Sequence, residues 1–226
     1  MRMPLNWRSK LFMSSLFLHR LFARKMGKDI CVVNTSAHQL RSYEPREATL
    51  ELASREIYRY NIEGSTAELG VYRGDFAKVI NHFFPDRKLY LFDTFEGFNV
   101  DDAEVDRTKN FSEATQDFTK TSAELVLSKM EHPENCIIRK GWFPYTADGI
   151  DDKFCFVSLD ADLYQPMIAG LEFFYPRLVH GGVIMLHDFN AGAYSGVRQA
   201  IEEFCTQNNI GYTCIFDTCG SAVIAK

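Results

Sequence analysis

The stretch Thr66–Asp93 reads TAELGVYRGDFAKVINHFFPDRKLYLFD, and its pattern decides the fold. Its apolar ends, Thr66–Leu69 and Lys88–Asp93, predict two short strands. Between them, Phe76–Phe84 has the spacing of a helix, and Pro85 ends that helix. A strand, a helix and a second strand of this length predict a parallel pair, because parallel strands need a long crossover connection.

Strands and helices alternate on both sides of this unit. A helix is predicted before it at Glu44–Tyr60, and its apolar stripe comprises Ala48, Leu50, Leu52 and Ile57. After it, the predicted strands are Cys136–Lys140, Lys153–Leu159 and Gly182–Leu186, and the predicted helices are Ser122–Met130, Met167–Tyr175 and Tyr194–Asn208. This alternation predicts an α/β fold in which helices cover both faces of a mostly parallel sheet.

Two segments depart from the alternation. Tyr212–Phe216 and Ser221–Ala225 read as strands whose connection is too short for a helical crossover, so we predict an antiparallel pair at the edge of the sheet. Asn99–Thr121 is polar and follows the carboxyl end of a strand, where long loops of α/β proteins tend to cover the ligand crevice. We interpret residues 99–121 as a lid over the active site; a solvated surface loop is the alternative.

Length and composition favour a soluble, intracellular protein. The 226 residues are 46% hydrophobic, which is enough for one domain with a sizeable core. Uninterrupted apolar runs are far shorter than the ~20 residues of a membrane-spanning helix. The six cysteines contain no Cys-x-x-Cys pair, so we expect free thiols in a reducing cytoplasm rather than disulfides or a zinc site.

Charge divides the chain into two parts. Residues 1–28 hold seven basic and no acidic side chains, whereas the remainder holds 18 basic and 30 acidic ones. An acidic body argues against nucleic acid as a partner. Apolar residues between Leu11 and Phe22 recur at helical spacing without a signal-peptide cleavage site, so residues 1–42 are predicted to be a basic amphipathic helical segment. It would contact an anionic membrane, or pack on the domain or on a second subunit of a homodimer.

A first group of residues predicts a cofactor site. Glu68 and Gly70 end a strand, Gly74 follows at the start of the next helix, and Asp93 ends the second strand, where an acid can accept both ribose hydroxyls of an adenosine cofactor. The two glycines are spaced Gly-x-x-x-Gly, without the Gly-x-Gly that pyrophosphate needs. S-adenosylmethionine, which has no pyrophosphate, therefore fits better than NAD. The alternative is an ordinary turn with Asp93 as a helix cap.

A second group predicts a metal or acid–base site at the same sheet edge. Asp160 and Asp162 follow one strand, and His187 and Asp188 end the next, so their side chains should meet. Neighbouring carboxylates favour a hard cation such as Mg²⁺ or Mn²⁺, or a shared proton. His187 is a third ligand, a base, or a neutral structural imidazole, and Asp162 is a further candidate or a helix cap.

Aromatic side chains complete the predicted cavity. Trp142 and Phe143, which follow Gly141 after the third strand, would stack on adenine or pack in the core. Tyr164 would contact the substrate or pack, and Tyr194 is a further candidate for substrate binding.

Five motifs, in this order, resemble the macrocin O-methyltransferase family over residues 43–226. They are Glu68–Gly74 (ELGVYRG), Phe92–Phe98 (FDTFEGF), Lys140–Pro144 (KGWFP), Leu159–Tyr164 (LDADLY) and Gly181–Asp188 (GGVIMLHD). The resemblance implies a class I methyltransferase fold, a seven-stranded sheet with an antiparallel C-terminal strand. It also implies S-adenosylmethionine-dependent, metal-assisted methylation of sugar hydroxyls, as in macrolide and aminocoumarin antibiotics or polysaccharide precursors.

The resemblance also implies roles for individual residues. The implied cofactor-binding residues are Glu68, Gly70, Tyr72, Gly74, Asp93, Thr94, Gly141, Trp142, Phe143 and Asp160. The implied metal ligands are Asp160, His187 and Asp188; Asp160 and His187 are the implied catalytic residues, and Tyr164 and Tyr194 the substrate-binding ones. Antibiotic-tailoring members place a carboxylate where His187 stands, so two metal ligands are better supported than three.

Three other functions compete with this interpretation. A catechol-type O-methyltransferase would use the same metal chemistry on a phenolic hydroxyl. A nicotinamide-dependent oxidoreductase is compatible with Asp93 but not with the missing Gly-x-Gly. A catalytically idle binding subunit would be expected to lack the carboxylates or the glycine turn, and both are present.

Overall fold

Seven strands form one sheet in the part of the chain that the structure, a computed structural model, describes, which is residues 44–226. They are β1 (Ser65–Leu69), β2 (Leu89–Asp93), β3 (Cys136–Lys140), β4 (Phe154–Leu159), β5 (Leu178–Leu186), β6 (Thr213–Cys214) and β7 (Ala222–Ala225). The α-helices are α1 (Pro45–Arg59), α2 (Ala77–Phe83), α3 (Val100–Thr108), α4 (Ala123–Leu127), α5 (Tyr164–Arg177) and α6 (Ser195–Asn208). The predictions made for residues 1–42 lie outside the described residues.

The strand order is β3-β2-β1-β4-β5-β7-β6. The first five strands are parallel, and β7 runs antiparallel to both β5 and β6. The predicted α/β fold, with an antiparallel strand at the C-terminal end, is therefore confirmed. The segment between Cys214 and Ala222 is too short for a crossover, which is the physical reason for the antiparallel pair.

The core lies on both faces of the sheet. β4 is buried along its whole length, with Phe154 and Val157 in one apolar cluster and Cys155 and Phe156 in another. Parallel strands covered on both faces read as continuous apolar runs, and β4 follows that rule. No helix within residues 44–226 is long and apolar enough to cross a membrane.

Three details of the helices differ from the predictions. Leu52 is 49% exposed, because it lies 200° around α1 from the buried Leu50; Ser54 and Ile57 share the face of Leu50 instead. The polar residues 99–121 are not wholly irregular, since they contain α3, whose first turn is capped by the side chain of Asn99. α5 begins at Tyr164, three residues before the predicted start.

The register of the sheet positions the polar side chains that end the strands. Beyond the strands, the backbone amide of Gly70 donates to Phe92, that of Asp160 to Leu69, and that of His187 to Leu159, at 2.8–2.9 Å. The ladder of hydrogen bonds thus continues past β1, β4 and β5 by one residue. It brings Gly70, Asp160 and His187 side by side at the carboxyl edge of the sheet.

Candidate active site

A cavity of about 550 Å³ opens at the carboxyl edge of the sheet. That volume is in the range of small-molecule sites. Its walls come from the segments that follow β1, β2, β3, β4 and β5, and from α1 and residues 97–118. Of the predicted cofactor-binding residues, those that line it are Glu68, Gly70, Tyr72, Asp93, Thr94, Gly141, Trp142, Phe143 and Asp160.

The turn after β1 requires a glycine. Gly70 has a φ of +86°, and a Cβ at this position would lie 2.0 Å from the carbonyl oxygen of Asp160. Any side chain would therefore push apart the two loops that meet here. Gly74 is not among the residues that line the cavity, and its predicted role in cofactor binding stays a prediction. A Cβ at Gly74 would meet the side chains of Val126 and Met130, so this glycine serves the packing of α4.

The carboxylate of Asp93 joins the segments after β1 and β2. One oxygen accepts a hydrogen bond from the backbone amide of Tyr72 at 2.7 Å, and the other accepts from Phe95 at 2.6 Å. Burial raises the pKa of Asp93, although these amides favour the charged form. Each carboxylate oxygen can accept a further bond, so Asp93 can still receive hydroxyl donors from the cavity.

Glu68 presents an unsatisfied carboxylate oxygen to the cavity. The side chain is 1% exposed, and Oε2 has no hydrogen-bond partner among the described residues. Burial raises the pKa of Glu68 well above its usual range, although the charge of Arg46 opposes the rise. A buried carboxylate is costly unless it is paired. The cavity next to Glu68 therefore favours a ligand that brings a positive charge or a donor.

The predicted aromatic wall is present. The indole nitrogen of Trp142 donates to Asp102 in α3 at 2.8 Å, and Phe143 is 4% exposed and packs on Phe92 and Phe174. Trp142 and Phe143 both line the cavity. The sequence analysis missed Asp102, because a carboxylate in a polar helix shows no sign of its distant indole partner.

Residues 99–121 contribute directly to the cavity. Asn99, Asp102, Gln116 and Phe118 are among its lining residues. The ring of Phe118 contacts the rings of Tyr72 and Phe98, with centroids 5.0 and 5.1 Å away. The segment therefore forms part of the cavity wall, and its role as a lid stays a prediction.

Asp160, His187 and Asp188 meet as predicted. Nδ1 of His187 lies 2.9 Å from an oxygen of each carboxylate, between the two, and is aligned with neither for a regular hydrogen bond. Burial alone would lower the pKa of His187, but the two carboxylates outweigh it and raise the pKa to about 10. Two carboxylates at this distance favour the charged form of the imidazole.

Arg46, from the start of α1, was missed by the sequence analysis. Its guanidinium donates to Asp160 at 2.8 Å and to Ser158 at 2.9 Å, and it lies 3.7 Å from the centre of the Phe76 ring. Burial would raise the pKa of Asp160, but Arg46 and then His187 lower it to about 2. No motif surrounds Arg46, and 114 positions separate it from Asp160, so the sequence carries no signal for this pair.

Asp162 joins this cluster rather than capping a helix. Leu163 stands between it and α5, and Asp162 has a φ of +60°, in the left-handed region that aspartate tolerates better than most residues. Oxygens of Asp160, Asp162 and Asp188 lie within 4.8 Å of one another. Burial, and then the charges of Asp160 and Asp188, raises the pKa of Asp162 well above its usual range.

The two tyrosines predicted to bind substrate differ in their surroundings. Tyr194 lines the cavity, and its buried hydroxyl has no hydrogen-bond partner among residues 44–226. Burial, with the charges of Asp162 and Asp188, raises its pKa, so the hydroxyl is a donor. Tyr164 is not among the lining residues: it starts α5, and its hydroxyl donates to Glu203 in α6 at 2.9 Å. Its predicted contact with the substrate stays a prediction.

The sequence is similar to those of a family of O-methyltransferases and of two of its relatives. The model of the family described as macrocin-O-methyltransferase (TylF) matches residues 20–220. The 8-demethyl-8-(2,3-dimethoxy-alpha-L-rhamnosyl)-tetracenomycin-C 4'-O-methyltransferase of Streptomyces olivaceus is 27% identical over 168 residues, 69% of this chain. The match covers 63% of that relative's length. The mycinamicin III 3''-O-methyltransferase of Micromonospora griseorubida is 26% identical over 204 residues, 83% of this chain and 77% of the relative.

Solved structures share the fold. The O-methyltransferase NovP has a TM-score of 0.68 at 19% identity, covering 80% of this chain and 79% of its own. The calicheamicin methyltransferase CalS11 has a TM-score of 0.63 at 18% identity, covering 92% of this chain and 90% of its own. The class I methyltransferase fold implied by the resemblance is therefore confirmed.

Proposed function

The chain belongs to the macrocin O-methyltransferase family, and we propose that it transfers the methyl group of S-adenosylmethionine to a sugar hydroxyl. The sugar would be part of a glycosylated natural product or a polysaccharide precursor, since two relatives are named for glycosylated antibiotics. One observation carries the proposal. Two groups of residues line a single cavity: an unpaired carboxylate with an aromatic wall, and a cluster of three aspartates with a histidine.

The first group, with Glu68, Asp93 and the aromatic wall, fits S-adenosylmethionine. The unpaired oxygen of Glu68 suits the ammonium group of the methionine part, and the remaining lone pairs of Asp93 suit the ribose hydroxyls. Trp142 and Phe143 supply the flat apolar surface that adenine needs. When bound, this cofactor supplies a methyl group made electrophilic by the sulfonium.

The second group, the aspartate cluster, has the donor set of a hard divalent cation. Asp160, Asp162 and Asp188 offer three carboxylate oxygens within 4.8 Å, a ligand type that Mg²⁺ and Mn²⁺ prefer. We therefore propose that these residues hold the cation, with His187 beside them. This differs from the predicted set of Asp160, His187 and Asp188, because a hard cation prefers three carboxylate oxygens to an imidazole nitrogen. When bound, such a cation lowers the pKa of a hydroxyl group.

The chain's own residues position the acceptor and receive its proton. Arg46 holds the carboxylate of Asp160 in one orientation, and the free hydroxyl of Tyr194 can donate to an acceptor oxygen. With the cofactor bound, the acceptor oxygen would take the methyl group in exchange for its proton, and the Asp160–His187 pair would receive that proton. The pair can take it only after His187 has lost its own proton. Holding the reacting atoms about 3 Å apart and aligned supplies much of the acceleration.

The experiment that tests the proposal has two steps. Calorimetric titration of the full chain with S-adenosylhomocysteine and with NAD, each with Mg²⁺ and with a chelator, identifies the cofactor. Transfer of labelled methyl groups to nucleotide sugars, glycosides and catechols then identifies the acceptor. Binding of S-adenosylhomocysteine and transfer to a sugar are the expected results. Transfer to catechols alone would replace the sugar by a phenol, and binding of NAD alone would overturn the proposal.

A further inference from the structure

The loop between β6 and β7 brings a thiol to the edge of the aspartate cluster. Ligand atoms of His187, Asp188 and Cys219 lie within 4.8 Å of one another. The thiol of Cys219 is free and partly exposed. His187 and Asp188 line the cavity and Cys219 does not, so this group of three lies at the boundary of the cavity.

Cys219 is held in place by backbone contacts. Its carbonyl oxygen accepts from the backbone amide of Asn190 at 3.2 Å, which ties the loop to the segment after β5. Next to it, Gly220 has a φ of +63°, and a Cβ there would lie 2.6 Å from the side chain of Asn190. On the far side, the carboxylate of Asp217 accepts from the amide of Ser221 at 2.7 Å. The thiol therefore sits on a constrained loop rather than on a free chain end.

From this geometry we propose that His187, Asp188 and Cys219 form a binding site for a borderline-soft divalent transition metal such as Zn²⁺. Imidazole, carboxylate and thiolate are the three ligand types that bind Zn²⁺ in proteins. Three ligands leave the fourth tetrahedral position to water. Tetrahedral ligands at zinc are about 3.3 to 3.6 Å apart, so separations of up to 4.8 Å need only small side-chain rotations.

This site differs in chemistry from the cluster of three aspartates. Mg²⁺ prefers oxygen ligands, whereas a thiolate and an imidazole select zinc-like ions. The two sites share Asp188, so an ion bound at one site prevents or weakens the binding of an ion at the other. A zinc-like ion would also turn His187 away from Asp160 and thereby oppose the arrangement described for methyl transfer. The proposal itself concerns metal binding and holds whether or not the acceptor is a sugar.

Cobalt(II) is the metal for the test, because a thiolate ligand gives Co²⁺ an intense charge-transfer absorption in the near ultraviolet. The full chain is titrated with Co²⁺ alone and then with Zn²⁺. We expect the thiolate band to appear with one Co²⁺ per chain and to disappear as Zn²⁺ displaces it. Absence of the band from the unaltered chain would overturn the proposal.

Matched variants in the same hairpin identify the ligand. Cys219→Ser should abolish the band and weaken Co²⁺ binding at least tenfold, and Cys219→Ala should do the same. Cys214→Ser changes an exposed cysteine of β6 outside the group of three and should leave the band unchanged. Circular dichroism confirms that each variant is folded. A band that persists in folded Cys219→Ser, or that Cys214→Ser removes, would place the metal elsewhere and overturn the proposal.

Discussion

The two halves of the cavity are built in different ways. In the cofactor half, which comprises Glu68–Tyr72, Asp93 and Trp142, the central carboxylate is held by backbone amides two and 21 positions away. In the acceptor half, which comprises Asp160, Asp162, His187 and Asp188, charged side chains hold one another, and the cation Arg46 comes from 114 positions away. The first half is a property of neighbouring loops, whereas the second exists only when distant segments meet.

This difference predicts that the halves can be broken separately. Asp160→Asn should have the largest effect, a loss of turnover of about a thousandfold or more, because it removes the charge that pairs with Arg46 and His187 and that would receive the proton. Affinity for S-adenosylhomocysteine should stay within about threefold. Methyl transfer and calorimetry on the same sample measure both, and unchanged turnover would remove Asp160 from the mechanism.

Asp93→Ala should break the opposite half. The variant loses the acceptor of two backbone amides and of the ribose hydroxyls, and hydrogen bonds to a charged group are each worth about 1.5–3 kcal/mol. We expect S-adenosylhomocysteine to bind about 10- to 100-fold more weakly, measured by calorimetry. Asp151→Asn, at an exposed position, is the control and should bind normally. Equal binding by Asp93→Ala would contradict the ribose contact.

Arg46→Gln sharpens the comparison, because it removes the long-range partner of the acceptor half while leaving Asp160 in place. Turnover should fall about tenfold, since the carboxylate loses its fixed orientation. Loss of the Arg46 charge near Glu68 should change cofactor affinity by less than about threefold. Arg59→Gln, an exposed position on the same helix, is the matched control. A large loss of cofactor affinity at constant turnover would show that Arg46 belongs to the cofactor half rather than to the acceptor half.

A smaller effect concerns pH. The pKa of His187 is raised from 6.5 to about 10, so the stability it contributes is fully present below pH 6.5 and is lost as the pH rises to about 10. Discounted for partial exposure, charged His187 contributes about 2 kcal/mol to the free energy of unfolding, which corresponds to about 5 °C in Tm. The Tm difference between the unaltered chain and His187→Asn should therefore shrink from pH 6 to pH 10. A difference independent of pH would show that His187 is not charged by its neighbours.

The agreement between sequence and structure follows the same division. The strands β1 to β4 begin and end within one residue of their predicted bounds, because apolar runs between turn residues carry the signal locally. Asp93, Asp160 and His187 could be placed at one edge for the same reason: parallel strands end on the same side. Arg46, Asp102 and Cys219 could not, since their partners are far away in the chain and nothing near them marks the contact.

Some side chains point in directions that the sequence does not show. Tyr164 ends the motif Leu159–Tyr164 and is polar, but its hydroxyl donates to Glu203 and does not line the cavity. Gly74 is adjacent to the cofactor turn, yet its free side packs on Val126. Leu52 is apolar and was placed on the buried stripe, although the helical angle puts it on the exposed side. The residue type determines the chemistry of a side chain, whereas the helix, strand or turn that carries the residue determines where the side chain points.

By itself, the sequence determined the order of strands and helices, the parallel sheet with its antiparallel end, and the residues that end each strand. These properties depend on periodicity and on hydrogen bonds between near neighbours, which a linear pattern records. Only the tertiary structure decided which charge neutralises Asp160 and which carboxylates raise the pKa of His187. It also decided that Cys219 approaches both His187 and Asp188. Those properties depend on electrostatic contacts across the fold, whose strength depends on distance and burial, and neither is written in the order of residues.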